Sequence, residues 1–230
     1  MNWEHLLETA RKTFYTEFLD ELSSLCVIII YFSKGKKKGS KLLAIIAIAG
    51  FLQLLVYHYS MLFLGVSARK HTLHSSIYIY LVIEAACCLM YLKAQIKSTW
   101  VKKTILFSMI LYIGYLILVA CSLPVHFAHY VEIFEGFLIT IFCLYYFYES
   151  FTQRIARKLS TEPAFWAILG MLILFCMTMP LWGLLNFFVK GNSMLKESLF
   201  TINYLAYTFF FIALSKAILC DKSITPPSMQ

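Results

Sequence analysis

The sequence predicts an all-α membrane protein, a seven-transmembrane helix bundle with its N-terminus outside and its C-terminus in the cytoplasm. Three observations carry this prediction. The 230 residues are 60% apolar and only 14% charged, at a mean hydropathy of +0.74, where soluble domains are about a quarter charged. The apolar residues are gathered into seven blocks close to the bilayer length, since a helix rising ~1.5 Å per residue needs about 20 residues to cross a core of about 30 Å. The basic residues are shared unequally between alternate connectors. Seven spans and their connectors use up the chain, which leaves no soluble catalytic or DNA-binding domain.

Residues 1–16 form an N-terminal amphipathic segment. Trp3, Leu7, Ala10, Phe14 and Phe18 recur at three- and four-residue steps, with Glu4, Glu8, Arg11 and Lys12 between them, a stripe that lies on a membrane surface or extends the first span. This stretch contains acids and no apolar core, so it does not read as a cleavable signal. The predicted spans are Glu17–Ser33, Leu42–Leu64, Ile77–Leu92, Thr104–Ser122, Tyr130–Phe151, Ala164–Val189 and Leu199–Cys220. Glu17, Asp20 and Glu21 occupy the outer turns of the first. The sixth contains Pro180, which removes a backbone donor and should kink it. Residues 17–220 are thus one helical domain, and residues 221–230 are a tail.

Orientation follows from Lys and Arg. Lys34, Lys36, Lys37, Lys38 and Lys41, then Lys93, Lys97, Lys102 and Lys103, then Arg154, Arg157 and Lys158, and finally Lys216 and Lys222 fall on one side. Only Arg11, Lys12, Arg69, Lys70, Lys190 and Lys196 fall on the other. The positive-inside rule places the first set in the cytoplasm, and an odd number of crossings puts the N-terminus opposite. The formal charge of +8 therefore belongs to helix ends and headgroups, and does not call for nucleic acid. Gly35 to Lys41 is not a phosphate loop, because it lacks the G-x-x-x-x-G-K-[ST] order between a strand and a helix. The seven cysteines lie in or beside apolar blocks without a C-x-x-C pair, and read as small buried hydrophobes. Lys216, four residues before Cys220, reads as a snorkelling lysine at the cytoplasmic interface.

Ionisable and amide side chains inside hydrocarbon are costly, and normally face a partner or a wet cavity. His58, Glu84, Glu135 and Asn203, on four different spans, all fall in the outer half of the bilayer, and Asn186 and Pro180 lie at similar depth. Two readings stay open: a ligand pocket reached from outside, or a network that only joins helices. Gln53, deeper in the second span, reads as structural. His126, His129, Glu132 and Glu135 follow at three-residue steps and part of this ladder shares a helix face. With the His71 and His74 pair in the preceding outer connector, His126, His129 and Glu132 raise a Zn²⁺ site as a further option. No other cofactor is implied.

Several short stretches carry a resemblance. The third span reads Ile-Tyr-Leu-Val-Ile-Glu from Ile79 to Glu84, and the fifth ends Leu-Tyr-Tyr-Phe-Tyr-Glu from Leu144 to Glu149. The sixth opens Glu-Pro-Ala-Phe-Trp-Ala-Ile-Leu-Gly from Glu162 to Gly170, and Asn203 precedes the aromatic run of the seventh. From about residue 20 the chain resembles a group of uncharacterised seven-helix inner-membrane proteins of Bacteroidota, many encoded beside histidine kinases or response regulators. The resemblance implies a multi-pass inner-membrane protein in sensing or regulation, with a histidine kinase or other cytoplasmic signalling partner. It supplies no catalytic residues. The expected function is receptor-like: an outward-facing polar pocket takes a small or amphipathic ligand, and a separate partner carries the signal. The alternatives are a metal-dependent membrane hydrolase acting on lipid, and a structural subunit of a membrane complex or transporter.

Overall fold

Residues 19–33, 40–63, 66–122, 128–153, 159–188 and 193–220 are described by the structure, a computed structural model. Among them are seven α-helices and no strand. Helix α1 includes residues 19–33. It is followed by α2 (Lys41–Phe63), α3 (Val66–Gln95), α4 (Thr99–Ser122), α5 (Ala128–Gln153), α6 (Pro163–Phe188) and α7 (Ser193–Cys220), with a 3₁₀ turn at Leu159–Thr161 before α6. The predicted amphipathic segment 1–16 and the tail 221–230 lie outside the described residues.

Among the described residues five stretches are long and apolar enough to cross a membrane: Ser75–Gln95, Thr99–Ala120, Tyr130–Thr152, Pro163–Leu184 and Ser198–Cys220. A shorter apolar stretch, Lys41–Tyr57, lies in α2. The chain therefore has the make-up of a multi-pass membrane protein. Its outer surface agrees, since Phe107, Ile110, Leu111, Ile117 and Leu118 of α4 are all more than half exposed. A face of this kind is stable against lipid and costly against water.

The helix starts are chemically marked. The carbonyls of Ser40 and Ser98 accept the amide N–H of Ala44 and Lys102, at 3.0 and 3.1 Å, and serine is a favoured residue just before a helix. Pro163 takes the first position of α6, where its missing N–H is not needed. Glu149 at the end of α5 accepts two backbone N–H groups, from Lys97 to Oε2 at 2.8 Å and from Ser98 to Oε1 at 3.1 Å. This carboxylate pins the α3–α4 connector and supplies negative charge at the start of α4, where the helix dipole favours it. Serine hydroxyls inside the helices are satisfied locally: Ser23, Ser24 and Ser60 each donate to a carbonyl three residues back, at 2.7–2.9 Å, the usual solution in apolar surroundings.

Three predicted helix starts shift by five residues or more, that of α7 from Leu199 to Ser193 among them. Helix α3 begins at Val66, so His71 and His74 lie on its first turns and not in a connector. Helix α4 begins at Thr99, five residues ahead of the predicted Thr104, because Ser98 and Glu149 organise its start. Helix α6 continues through Pro180 to Phe188. Of the cysteines, Cys87, Cys88 and Cys143 are buried as expected, while Cys26 and Cys176 are exposed. Lys216 is exposed on α7.

Helices α5, α6 and α7 run antiparallel in turn. The end of α5 meets the start of α6 through Phe147 and Phe165, with ring centroids 5.9 Å apart. Likewise the end of α6 meets the start of α7 through Trp182 and Phe200, at 6.3 Å. Small residues let backbones approach: a Cβ placed on Gly170 of α6 would lie 2.8 Å from the Ala213 Cβ of α7, and one on Gly136 of α5 would lie 3.3 Å from the Met179 Cβ of α6. The packing is uneven along the bundle. A large apolar core including Val27, Ile46, Leu92, Ile139, Ile168 and Leu214 fills one end. This is the end of the Lys97 connector and of the Glu149 carboxylate. The other end holds a smaller core of Tyr78, Leu81, Ala85, Tyr112, Leu116, Val119 and Val131 between α3, α4 and α5, and beside it a cavity.

Candidate functional site

The cavity measures about 220 Å³ and six of the seven helices wall it. Asp20 comes from α1, Gly50, Gln53 and Leu54 from α2, and Ile77, Tyr80 and Leu81 from α3. Glu132 comes from α5 and Trp182 from α6. Helix α7 contributes Phe200, Asn203, Tyr204, Tyr207 and Phe211. No described side chain of α4 lines it. Gly50 of α2 lets two of the lining rings approach its backbone: a Cβ there would come within 3.1 Å of the Phe211 ring and 3.7 Å of the Tyr80 ring. The aromatic rings that line the space are thus already in contact range of a bare backbone.

Two of its polar atoms stand without a partner among the described residues. Glu132 Oε2 and Asn203 Oδ1 are buried and accept no hydrogen bond from any described residue. None of the described lining residues is Lys, Arg or His. An unpaired buried polar atom costs about 1–3 kcal/mol, and native structures keep few of them unless a water or a ligand completes the set.

Two further carboxyls stand just behind the wall. Glu84 of α3 is 1% exposed, and its Oε1 accepts the hydroxyl of Tyr80, one helix turn back, at 2.9 Å. Glu135 of α5 is 2% exposed, and its Oε2 accepts the Tyr112 hydroxyl of α4 at 2.7 Å. The second oxygen of Glu135 is buried with no described partner. Tyr207 lies within electrostatic reach of Glu84, Glu132, Glu135 and Asp20 together. One end of the bundle therefore concentrates acidic and tyrosine side chains around a single space, and tyrosine hydroxyls shield two of the acids.

Set against the sequence, the structure separates the candidates. Asn203 lines the cavity, while Glu84 and Glu135 lie behind it and act on it through Tyr80 and by charge. The side chains of His58 and Asn186 lie outside the described residues. Of the residues raised for Zn²⁺, His126 and the His129 side chain also lie outside them, and Glu132 stands in the cavity wall. Among the described residues no group of three or more His, Cys, Asp or Glu is placed to hold a metal ion. Gln53, read as structural, lines the cavity. Asp20 joins it too, although an acid in the outer turn of the first span offers no sequence clue to the direction it faces. Tyr80, Tyr204 and Tyr207 were missed because tyrosine in a membrane helix reads first as an interface residue. The only signal for them was their spacing: Tyr80 precedes Glu84 by four residues, and Tyr204 and Tyr207 follow Asn203 by one and four.

The chain matches no protein family, no curated protein and no solved structure.

Proposed function

We propose that the chain is a receptor-like integral membrane protein that crosses the membrane seven times and binds a small ligand in the cavity among α1, α2, α3, α5, α6 and α7. The observation that carries this reading is the cavity itself, walled by six helices and holding buried acceptors without partners. Polar groups serving only to join helices would be expected to find one another across the interfaces. Tyr112 and Glu135 do so, whereas Glu132 and Asn203 do not.

The cavity lies at the end of the bundle opposite the basic α3–α4 connector. Under the positive-inside rule that connector is cytoplasmic, so the cavity opens to the outer side and the N-terminus lies outside. A C-terminal fluorescent-protein fusion should then fluoresce, as it does only when the tail is cytoplasmic, and a dark fusion would reverse the orientation. A ligand that alters the packing of α6 and α7 at the cavity end can be read at their other ends by a separate cytoplasmic partner such as a histidine kinase. Such signalling requires the ligand to favour one packing over another. A bacterial inner-membrane location is part of this proposal and rests on the resemblance to inner-membrane proteins of Bacteroidota alone.

A thermal-shift screen of fragment-sized compounds on the purified chain in lipid nanodiscs tests the pocket. Hits should stabilise the protein and should lose that effect in Leu81→Trp, which fills the space. Hits indifferent to the filled cavity, or none at all, would count against the reading. A metal assay of the same preparation addresses the hydrolase alternative, which requires stoichiometric Zn²⁺.

A further inference from the structure

The acceptors and rings around the cavity identify a class of ligand, an inference that rests on the pocket reading above. Glu132 Oε2 and Asn203 Oδ1 line the cavity without a partner among the described residues, and both are hydrogen-bond acceptors. What the site lacks is therefore a donor. Described lining residues bring no cation, and behind the wall Glu84 and Glu135 add two more carboxyls, each turned to a tyrosine by one oxygen only. A carboxylate guest would bring further acceptors to a wall that already has too many, and a purely apolar guest would leave both acceptors unpaired. A protonated amine brings up to three N–H donors and no acceptor.

The rest of the wall suits the same guest. Tyr80, Trp182, Tyr204 and Tyr207 line the space, and aromatic rings attract a cation through their electron-rich faces. Leu54, Leu81 and Phe200 offer an apolar surface for a hydrocarbon or aromatic body. At about 220 Å³ the space lies below the ~300 Å³ at which pockets for drug-sized molecules begin. The guest is accordingly small.

We propose that this cavity binds a small organic ammonium ion. Its nitrogen donates to Glu132 and Asn203, and its apolar body lies against the aromatic wall.

Three probes on one skeleton test this on the full chain in nanodiscs: 2-phenylethylammonium, 2-phenylethanol and phenylacetate. The ammonium should raise the melting temperature with saturation, and phenylacetate should not. Glu132→Gln, which keeps size and removes charge, should weaken ammonium binding at least about tenfold. Asn203→Leu, which removes the second acceptor, should weaken it as well and serves if the first variant does not fold. Equal stabilisation by the alcohol or the acid, or ammonium affinity unchanged in both variants, would overturn the assignment. If the alcohol binds as well as the ammonium and Leu81→Trp abolishes both, the pocket stands and the charge preference falls. If no probe binds, the ammonium assignment falls, and the fragment screen decides separately on the pocket.

Discussion

Replacing Tyr112 by Phe is the most direct test of how the acids near the cavity are held. Tyr112 is fully buried and Glu135 is 2% exposed, and the 2.7 Å hydrogen bond between them is a polar tie of α4 to α5. Helix α4 is the least buried of the five long apolar helices, so a lost contact there has little apolar packing to offset it. Interhelical hydrogen bonds inside membranes contribute only about 0.6 kcal/mol on average and up to about 1.7. Here the loss would strand a carboxyl whose other oxygen already has no described partner, and an unsatisfied buried acceptor costs about 1–3 kcal/mol. Tyr112→Phe should therefore destabilise by about 1.5–2.5 kcal/mol. At about 2–4 °C per kcal/mol for a chain of this size, the melting temperature should fall by roughly 3–10 °C. The ring stack of Tyr112 on Phe134, at 6.3 Å, survives in the variant, so the loss reports the hydroxyl. The informative companion is the double variant Tyr112→Phe, Glu135→Met. Replacing both partners by apolar groups of similar shape is nearly neutral, so the double variant should be more stable than Tyr112→Phe alone. A single variant that costs less than about 0.5 kcal/mol, or a double variant that is no better, would refute the reasoning.

Other consequences follow from close contacts elsewhere. Gly170→Ala should destabilise by about 1–3 kcal/mol, since its Cβ would meet the Ala213 Cβ at 2.8 Å and neither atom can swing away. Gly183→Ala on the same helix meets nothing within 4 Å and should be neutral or stabilising by up to about 1 kcal/mol, the helix-propensity gain of alanine over glycine; reversed signs in a melting assay would contradict this packing of α6 on α7. Glu149→Ala removes the acceptor of two amides and should cost about 1.5–3 kcal/mol. Hydrogen exchange at Lys97 and Ser98 should quicken at the same time, and unchanged protection there would dissociate Glu149 from the connector.

The sequence by itself determined that this is a helical chain and, to within a few residues, where most helices lie. That much is local: an apolar run of bilayer length has few alternatives once its backbone polar groups must be satisfied within the segment. It also determined which residues were expensive enough to need a reason, Glu84, Glu135 and Asn203 among them. The sequence could not decide the rotation of each helix about its axis. These helices are apolar nearly all round, with little one-sided stripe to read, so the inward face is set by contacts between helices distant in sequence. Gly50 against Phe211, Gly170 against Ala213 and Tyr112 on Glu135 are such contacts. Only they decided that Asp20, Gln53 and Glu132 reach the cavity while Glu84 and Glu135 stand one layer behind it. The start of α4 has the same origin, because the carboxylate that organises it comes from α5, some fifty residues later in the chain.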